Sequence, residues 1–483
     1  MSNQKNSSFI RSIAVPLALF AAIQSFLLAL GIRFETYPLY AFLHFIDPEL
    51  LRTRLLESCF YLHIQPPLFN LFCGMVLKLT ASHSDLIFHI LYIALGFIFY
   101  VSLFLLMVKM GVRRWLALIL STVFAASPAF ILYQNWLFYT LPSALLLVLS
   151  ALSLYRLLET RSLWAAAGFF GSLFLLCGIR SSYHIAYFVL IFVAIVALCT
   201  GFRKRVFSVG LVFLLLVGGM NAKNYALFGF FGTSSLLGKN FYINTVGNMR
   251  YEDRERLVKE GALSELALYN RWNCLDNYPP EWRTAEGFEH IPVLRQESKS
   301  HGPHNYNHLA HIAISRQYMA DSIVALGEFP KSFALAMGYS AYTYFRPASD
   351  YTCSNHNAAL IRPWKDFCDS TIGGRLNMDL STIPYLEKIA KSPPHLGLLI
   401  GLPLIFLLGL HIVFWGTLGR TTFSNTQRIL IAYFCFNILY VAVIGIALDY
   451  NETNRYRFET DAFYLCIAAL VAQTGLGRIT SRR

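Results

Sequence analysis

Two groups of residues in this chain have the types and spacing for transfer chemistry. The first is acidic and amide-bearing: Glu35 in RFETYPLY, Glu57 in LESCF, then His63 and Gln65 in LHIQPPLFN. A carboxylate can take the proton of an attacking hydroxyl, and a histidine or an amide can orient the reacting groups. The second group is built on arginine: Arg180, Tyr183 and His184 in GIRSSYH, Arg346 and Asp350 in FRPASDY, and Arg455 and Arg457 in NETNRYRF. A guanidinium holds an oxyanion through two parallel N–H bonds, which suits charge that develops on a departing group.

The elements that must position these residues are apolar helices. Of 483 residues, 56% are hydrophobic and 14% charged; soluble domains carry about 25% charged residues, too many to leave this chain a water-covered surface. Apolar stretches of about 18–25 residues recur, long enough to cross a hydrocarbon core as helix. We place them near residues 10–32, 84–108, 115–132, 137–155, 162–178, 183–200, 206–222, 396–416, 428–448 and 459–476. The first has no small-residue cleavage site and is expected to be a retained span.

A formal charge of +13 would suit nucleic acid were it gathered on one surface. Instead the basic residues sit in short connectors: Lys109, Arg113 and Arg114; Arg156 and Arg161; Arg203, Lys204 and Arg205; Arg420 and Arg428; Arg478, Arg482 and Arg483. Short basic connectors stay cytoplasmic, so both termini are expected inside and no nucleic-acid partner is expected. Every residue of the two chemical groups then falls outside. The stretch Leu68–Thr80 must not cross, since a crossing there would invert every later connector; it reads as an interfacial or re-entrant helix.

Three parts follow: residues 1–222 as a membrane module with first external loop 33–65, residues 223–395 as an external helical subdomain, and residues 396–483 as a second membrane module. Within the loop, helical periodicity starts at Asn305, Pro330 breaks it, and a second helix is expected over 331–345. His301, His304, His308 and His311 have partly helical spacing, yet no acids converge on them, and a polar interfacial helix is the simpler reading. Cys353 and Cys368 could pair if the compartment is oxidising.

The order of these features resembles the GT-C superfamily of membrane glycosyltransferases, in its protein O-mannosyltransferase and aminoarabinose-transferase branches. Glu35 stands where those enzymes carry an acid at the start of the first external loop, and Pro66-Pro67-Leu68 stands for the PPL element at its end. ASPAFILYQNWLFY is similar to their proline-preceded turn, and NETNRYRFETD to the arginine-bearing turn before their last spans. The likeness covers most of 10–222 and 396–476. It departs in the turn Gln134–Tyr139, which lacks the second acid several branches carry; Asp350 is one substitute, and metal dependence is left open.

The resemblance implies an all-α polytopic protein of about ten spans that moves a sugar from a polyprenyl-phosphate donor, with inversion, to a glycan, lipid or protein on the outer face of a bacterial-type inner membrane. Glu35 would be the base, with Glu57 second; the arginines would hold the phosphate; His63 and Gln65 would face the sugar or phosphate. No cofactor is certain and a divalent metal stays open. Two other classes stand beside it. An O-antigen polymerase or ligase-like enzyme would work around His308, His311 and Arg346. A transporter or flippase would need polar residues lining a path through the spans, and few are present.

Overall fold

The computed structural model describes residues 2–351, 355–376 and 393–480. Helices dominate these residues, and the strands are limited to the hairpin Thr417–Leu418 with Thr421–Thr422, Thr417 paired to Thr422. The principal helices are α1 (Ser2–Ala29), α2 (Pro67–Thr80), α3 (Ser84–Lys109), α4 (Arg114–Ala125), α5 (Pro128–Gln134), α6 (Thr140–Thr160), α7 (Leu163–Ile179), α8 (Ile185–Leu198) and α9 (Arg203–Phe228). After them come α10 (Leu237–Asn244), α11 (Ala310–Glu328), α12 (Pro330–Tyr344), α13 (Leu396–Trp415), α14 (Asn425–Leu448) and α15 (Thr453–Thr480). Five helices are long and apolar enough to cross a membrane, or six if the bent pair α4–α5 counts as one span. The chain is an integral, multi-pass, all-α membrane protein on that basis.

The basic connectors gather at one end. Gln427 donates to the Met110 carbonyl (2.7 Å), the Arg113 amide donates to Gln473 (2.6 Å), and Thr426 donates to Glu159 (2.9 Å). The loops carrying the chemical residues meet at the other end. There the Tyr440 hydroxyl donates to the Ser182 carbonyl (2.7 Å), and Asn454 donates to the Pro347 carbonyl (2.8 Å).

Several elements differ from expectation, each for a local reason. The stretch 115–132 is broken, with a 61° bend between α4 and α5. Pro128 lacks the amide proton a continuing helix needs, and Ser127 caps the new helix by accepting the Phe130 amide. The helix over 206–222 continues to Phe228 and stops where Gly229 takes a left-handed conformation (φ 70°). That extension carries Lys223 and Asn224 to the end where the loops with the chemical residues meet. The last helix begins at Thr453, so Arg455 and Arg457 lie in its first turns and not in a preceding turn.

Pro67 opens α2, where a missing amide proton costs nothing. Phe69, Cys73, Val76 and Leu77 bury this helix in the main core. In the large loop, Pro330 separates α11 from α12 as expected. His301, His304 and His308 precede α11, so the four histidines do not share a helix. A second buried cluster, including Tyr242, Leu266, Tyr278 and Tyr318, gives this loop its own core. Cys353 lies outside the described residues, and its pairing with Cys368 with it.

Candidate active site at the outer end of the helices

Glu35 reaches the α5–α6 turn through its backbone. Its amide donates to the Asn135 carbonyl and its carbonyl accepts the Leu137 amide, both at 2.9 Å, forming a short parallel bridge with Trp136. The first external loop is thereby tied to the turn that lacks an acid of its own. Trp136 stacks on Phe138 (4.5 Å between centroids), and the Arg455 guanidinium lies 4.9 Å from the Phe138 ring. The Glu35 backbone and a buried cation thus both adjoin the Trp136–Phe138 aromatic pair.

Arg180 and Arg455 are each 2% exposed and share two further rings. Arg180 lies 4.0 Å from the Tyr456 ring centre and 5.3 Å from that of Tyr139; Arg455 lies 5.3 Å and 5.8 Å from the same rings. Such faces stabilise a desolvated cation. Arg180 is ion-paired with Glu459, which also accepts the Tyr183 hydroxyl (2.6 Å). Arg180 Nη2 is buried without a hydrogen-bond partner among the described residues. Arg455 places Nε (3.0 Å) and Nη2 on Glu452, while Nη1 reaches Thr140 Oγ1 (3.4 Å). Arg457 holds Asp461 (3.0 Å) and the Tyr344 and Arg346 carbonyls. It clamps α15 to the end of α12, and its Nε and Nη1 donors are committed there.

A polar cavity of about 630 Å³ opens beside this cluster. Its walls include Asp449, Glu452, Arg254, Arg271, Tyr242 and Trp272, so the turn between α14 and α15 faces the large loop across it. Asp449 Oδ1 accepts the Asn451 (3.0 Å) and Glu452 (2.9 Å) amides. Burial, and then the neighbouring Glu452 charge, push the Asp449 carboxyl up to about 6. Burial also works against the Glu452 charge, but Arg455 outweighs it and holds that carboxyl below its ordinary value. The two acids therefore differ in role. Glu452, which also accepts the Tyr351 hydroxyl (2.8 Å), is a fixed charge. Asp449 is the more easily protonated of the two.

A second cavity, about 290 Å³, lies on the other side of Leu448 and Tyr456. It is rich in hydroxyls, from Ser181, Ser182, Thr233, Ser234, Ser235 and Ser315, and His184 also lines it. His184 caps α8 by accepting the Ala186 amide. Tyr456, whose ring carries Arg180 on one face, connects this cavity to the cation.

The remaining sequence candidates sit as follows. His63 is fully buried, with Nδ1 on the Ser235 hydroxyl (2.8 Å) and Nε2 on the Asn307 carbonyl (2.9 Å), so it ties the first loop to the large loop. Glu57, the second candidate base, pairs with Arg54 (2.7 Å). Arg346 pairs with Asp350 (2.9 Å), which also takes Lys365 (2.7 Å), so Asp350 is a neutralised acid within an ion-pair network. Gln65 lines a third cavity, between the first external loop and α9. His311 Nδ1 lies 2.9 Å from Lys239 Nζ, and His311 Nε2 lies 2.7 Å from His304 Nε2. Among the described residues, no three His, Cys, Asp or Glu side chains gather to hold a metal ion. Sequence reasoning missed Asp449 and Arg271. Asp449 carried a legible signal, an acid directly after an apolar stretch on the arginine-bearing side, as Glu35 is. Arg271 carried none.

Comparison with known protein families, with curated proteins and with solved structures finds no match for this chain.

Proposed function

We propose that the chain is an inverting membrane glycosyltransferase of GT-C type, crossing the membrane about ten times and using a polyprenyl-phosphate sugar on its outer face. One observation carries this reading: the Asp449 carboxylate lies on the wall of a polar cavity with Arg271 and Trp272, beside buried arginines at the ends of apolar helices. A lipid-linked sugar phosphate keeps its reactive carbon at the membrane surface and needs these groups there. The acceptor, a glycan, lipid or protein hydroxyl, attacks the anomeric carbon. As the new carbon–oxygen bond forms, its proton passes to Asp449, and the bond to phosphate breaks with its electron pair on the polyprenyl phosphate. Arg180 is the cation best suited to that phosphate, because Nη2 is still free to donate.

Glu35 is the other candidate base, its backbone bridged to Trp136. The polymerase or ligase-like reading gains less support, since His308, His311 and Arg346 line none of the three cavities. Transfer measured in membranes containing Asp449→Asn or Glu35→Gln at equal protein level separates the bases. Asp449→Asn should lower turnover by about 10² or more and Glu35→Gln by much less. The reverse order would move the base to Glu35.

A further inference from the structure

A short helix of the large loop, Arg362–Thr371, has the reverse of the polarity that a water-facing helix needs. Its charges turn toward the protein: Lys365 pairs with Asp350 (2.7 Å) and with Asp369 (2.5 Å), and Asp369 is buried. Its large apolar side chains turn away. Trp364 and Phe367 are 40% and 54% exposed, and their rings stack with centroids 5.4 Å apart. Leu360 just before the helix and Ile372 just after it are exposed as well. At 3.6 residues per turn the helix has three faces: Ile361, Lys365 and Asp369; Trp364, Phe367 and Thr371; and Arg362, Asp366 and Ser370.

Three faces call for three surroundings. The first packs on protein, since Ile361 is buried with Leu27 and Ile32 near the end of α1 and with Ile131 and Leu132 of α5. The polar third face suits water. The second is placed by Trp364, whose indole N–H donates to the Ala126 carbonyl (2.8 Å). Ala126 ends α4 at the broken span, and in an unbroken helix its carbonyl would take the Phe130 amide. That amide goes to Ser127 Oγ instead (3.4 Å), so Trp364 supplies the donor that the break removes. From Arg114 at the basic end, the 12 residues of α4 rise about 18 Å, against a hydrocarbon core about 30 Å thick. The Trp364 ring therefore reaches a level that lipid occupies. Trp115, Trp164 and Trp415 are exposed beside the basic connectors, and Trp364 is exposed at the opposite end, as indoles at the two membrane boundaries are.

We infer that Arg362–Thr371 is an interfacial anchor, whose partner is the lipid of the leaflet away from the basic connectors. It lies along the membrane surface, with Trp364 and Phe367 among the acyl chains and Arg362 and Ser370 at head-group level. Through Lys365 it fastens the Asp350–Arg346 ion pair of the large loop to the bilayer. The inference does not rest on the transferase reading, and Asp449 plays no part in it.

The full chain is expressed in cell membranes with the photoreactive residue benzoylphenylalanine in place of Phe367, Ser370 or Leu439, one at a time. Leu439, exposed within α14, serves as the lipid-facing reference. All three side chains are exposed, so the probe displaces no core packing. After irradiation the purified protein is weighed by mass spectrometry. Phe367 should capture phospholipid as readily as Leu439, while Ser370 stays at background. Capture of lipid at Leu439 but not at Phe367 would overturn the anchor, as would a Phe367 adduct to this chain, to a second copy or to another protein in place of lipid. Equal lipid capture at Phe367 and Ser370 would overturn the assignment of the faces.

Discussion

Asp449 holds its proton up to about pH 6 because burial and the Glu452 charge both oppose its ionised form. Two consequences follow from the sign of that shift. As a base it works only when ionised, so transfer should rise with pH through about 6, and a pH–rate profile of the wild type should show that limb. For stability the direction is opposite. Between its ordinary value of 3.8 and about 6, the folded chain binds the proton more tightly than the unfolded chain, so this residue's contribution is lost as pH rises across that window. The arginines divide in the same physical terms. Arg180→Lys keeps a charge but loses the planar fork and the open Nη2, and should lower transfer by about 2–4 kcal/mol in activation free energy. Arg457 spends its Nε and Nη1 donors on Asp461 and two carbonyls, so Arg457→Lys should lower the melting temperature more than the specific activity of the folded fraction. Purified variants assayed both ways distinguish the two. In the sequence all these arginines read alike, since spacing shows where a guanidinium stands and not which acceptors already occupy it.

Among the elements, helix existence was legible and helix ends were less so. Long apolar stretches announced α3, α6, α9, α13 and α14, because lipid-compatible helices need length and little else. The break at Pro128 and the start at Pro330 follow from the missing amide proton. Less visible was the start of α15 at Thr453, where charged residues run through the first turns and hide the boundary from hydropathy. The α10–α11 contact was not legible at all. There the position a Gly238 Cβ would take is 1.8 Å from the Ser315 carbonyl oxygen, so the two helices touch backbone to backbone. Gly238→Ala should destabilise the chain by about 1–3 kcal/mol through overpacking. Gly327→Ala, at a helical position with open space, should be neutral or stabilising. Thermal unfolding of the two variants in one detergent checks the contrast; equal midpoints would contradict it.

At the scale of the molecule, the charge pattern foretold which loops would share an end, and the hydrogen bonds at both ends agree with it. What composition left hidden is the wall that the large loop contributes to the carboxylate cavity, because Arg271 and Trp272 lie far along the chain from Asp449. The central claim is that this wall and the Asp449 turn together transfer a sugar. Its most direct measurement is the mass profile of surface glycans, lipids and glycoproteins from cells lacking the gene, complemented with wild type or with Asp449→Asn at equal membrane level. The account predicts a sugar-sized mass increment that wild type restores and Asp449→Asn does not. A profile unchanged by loss of the gene, or restored equally by both, would contradict it.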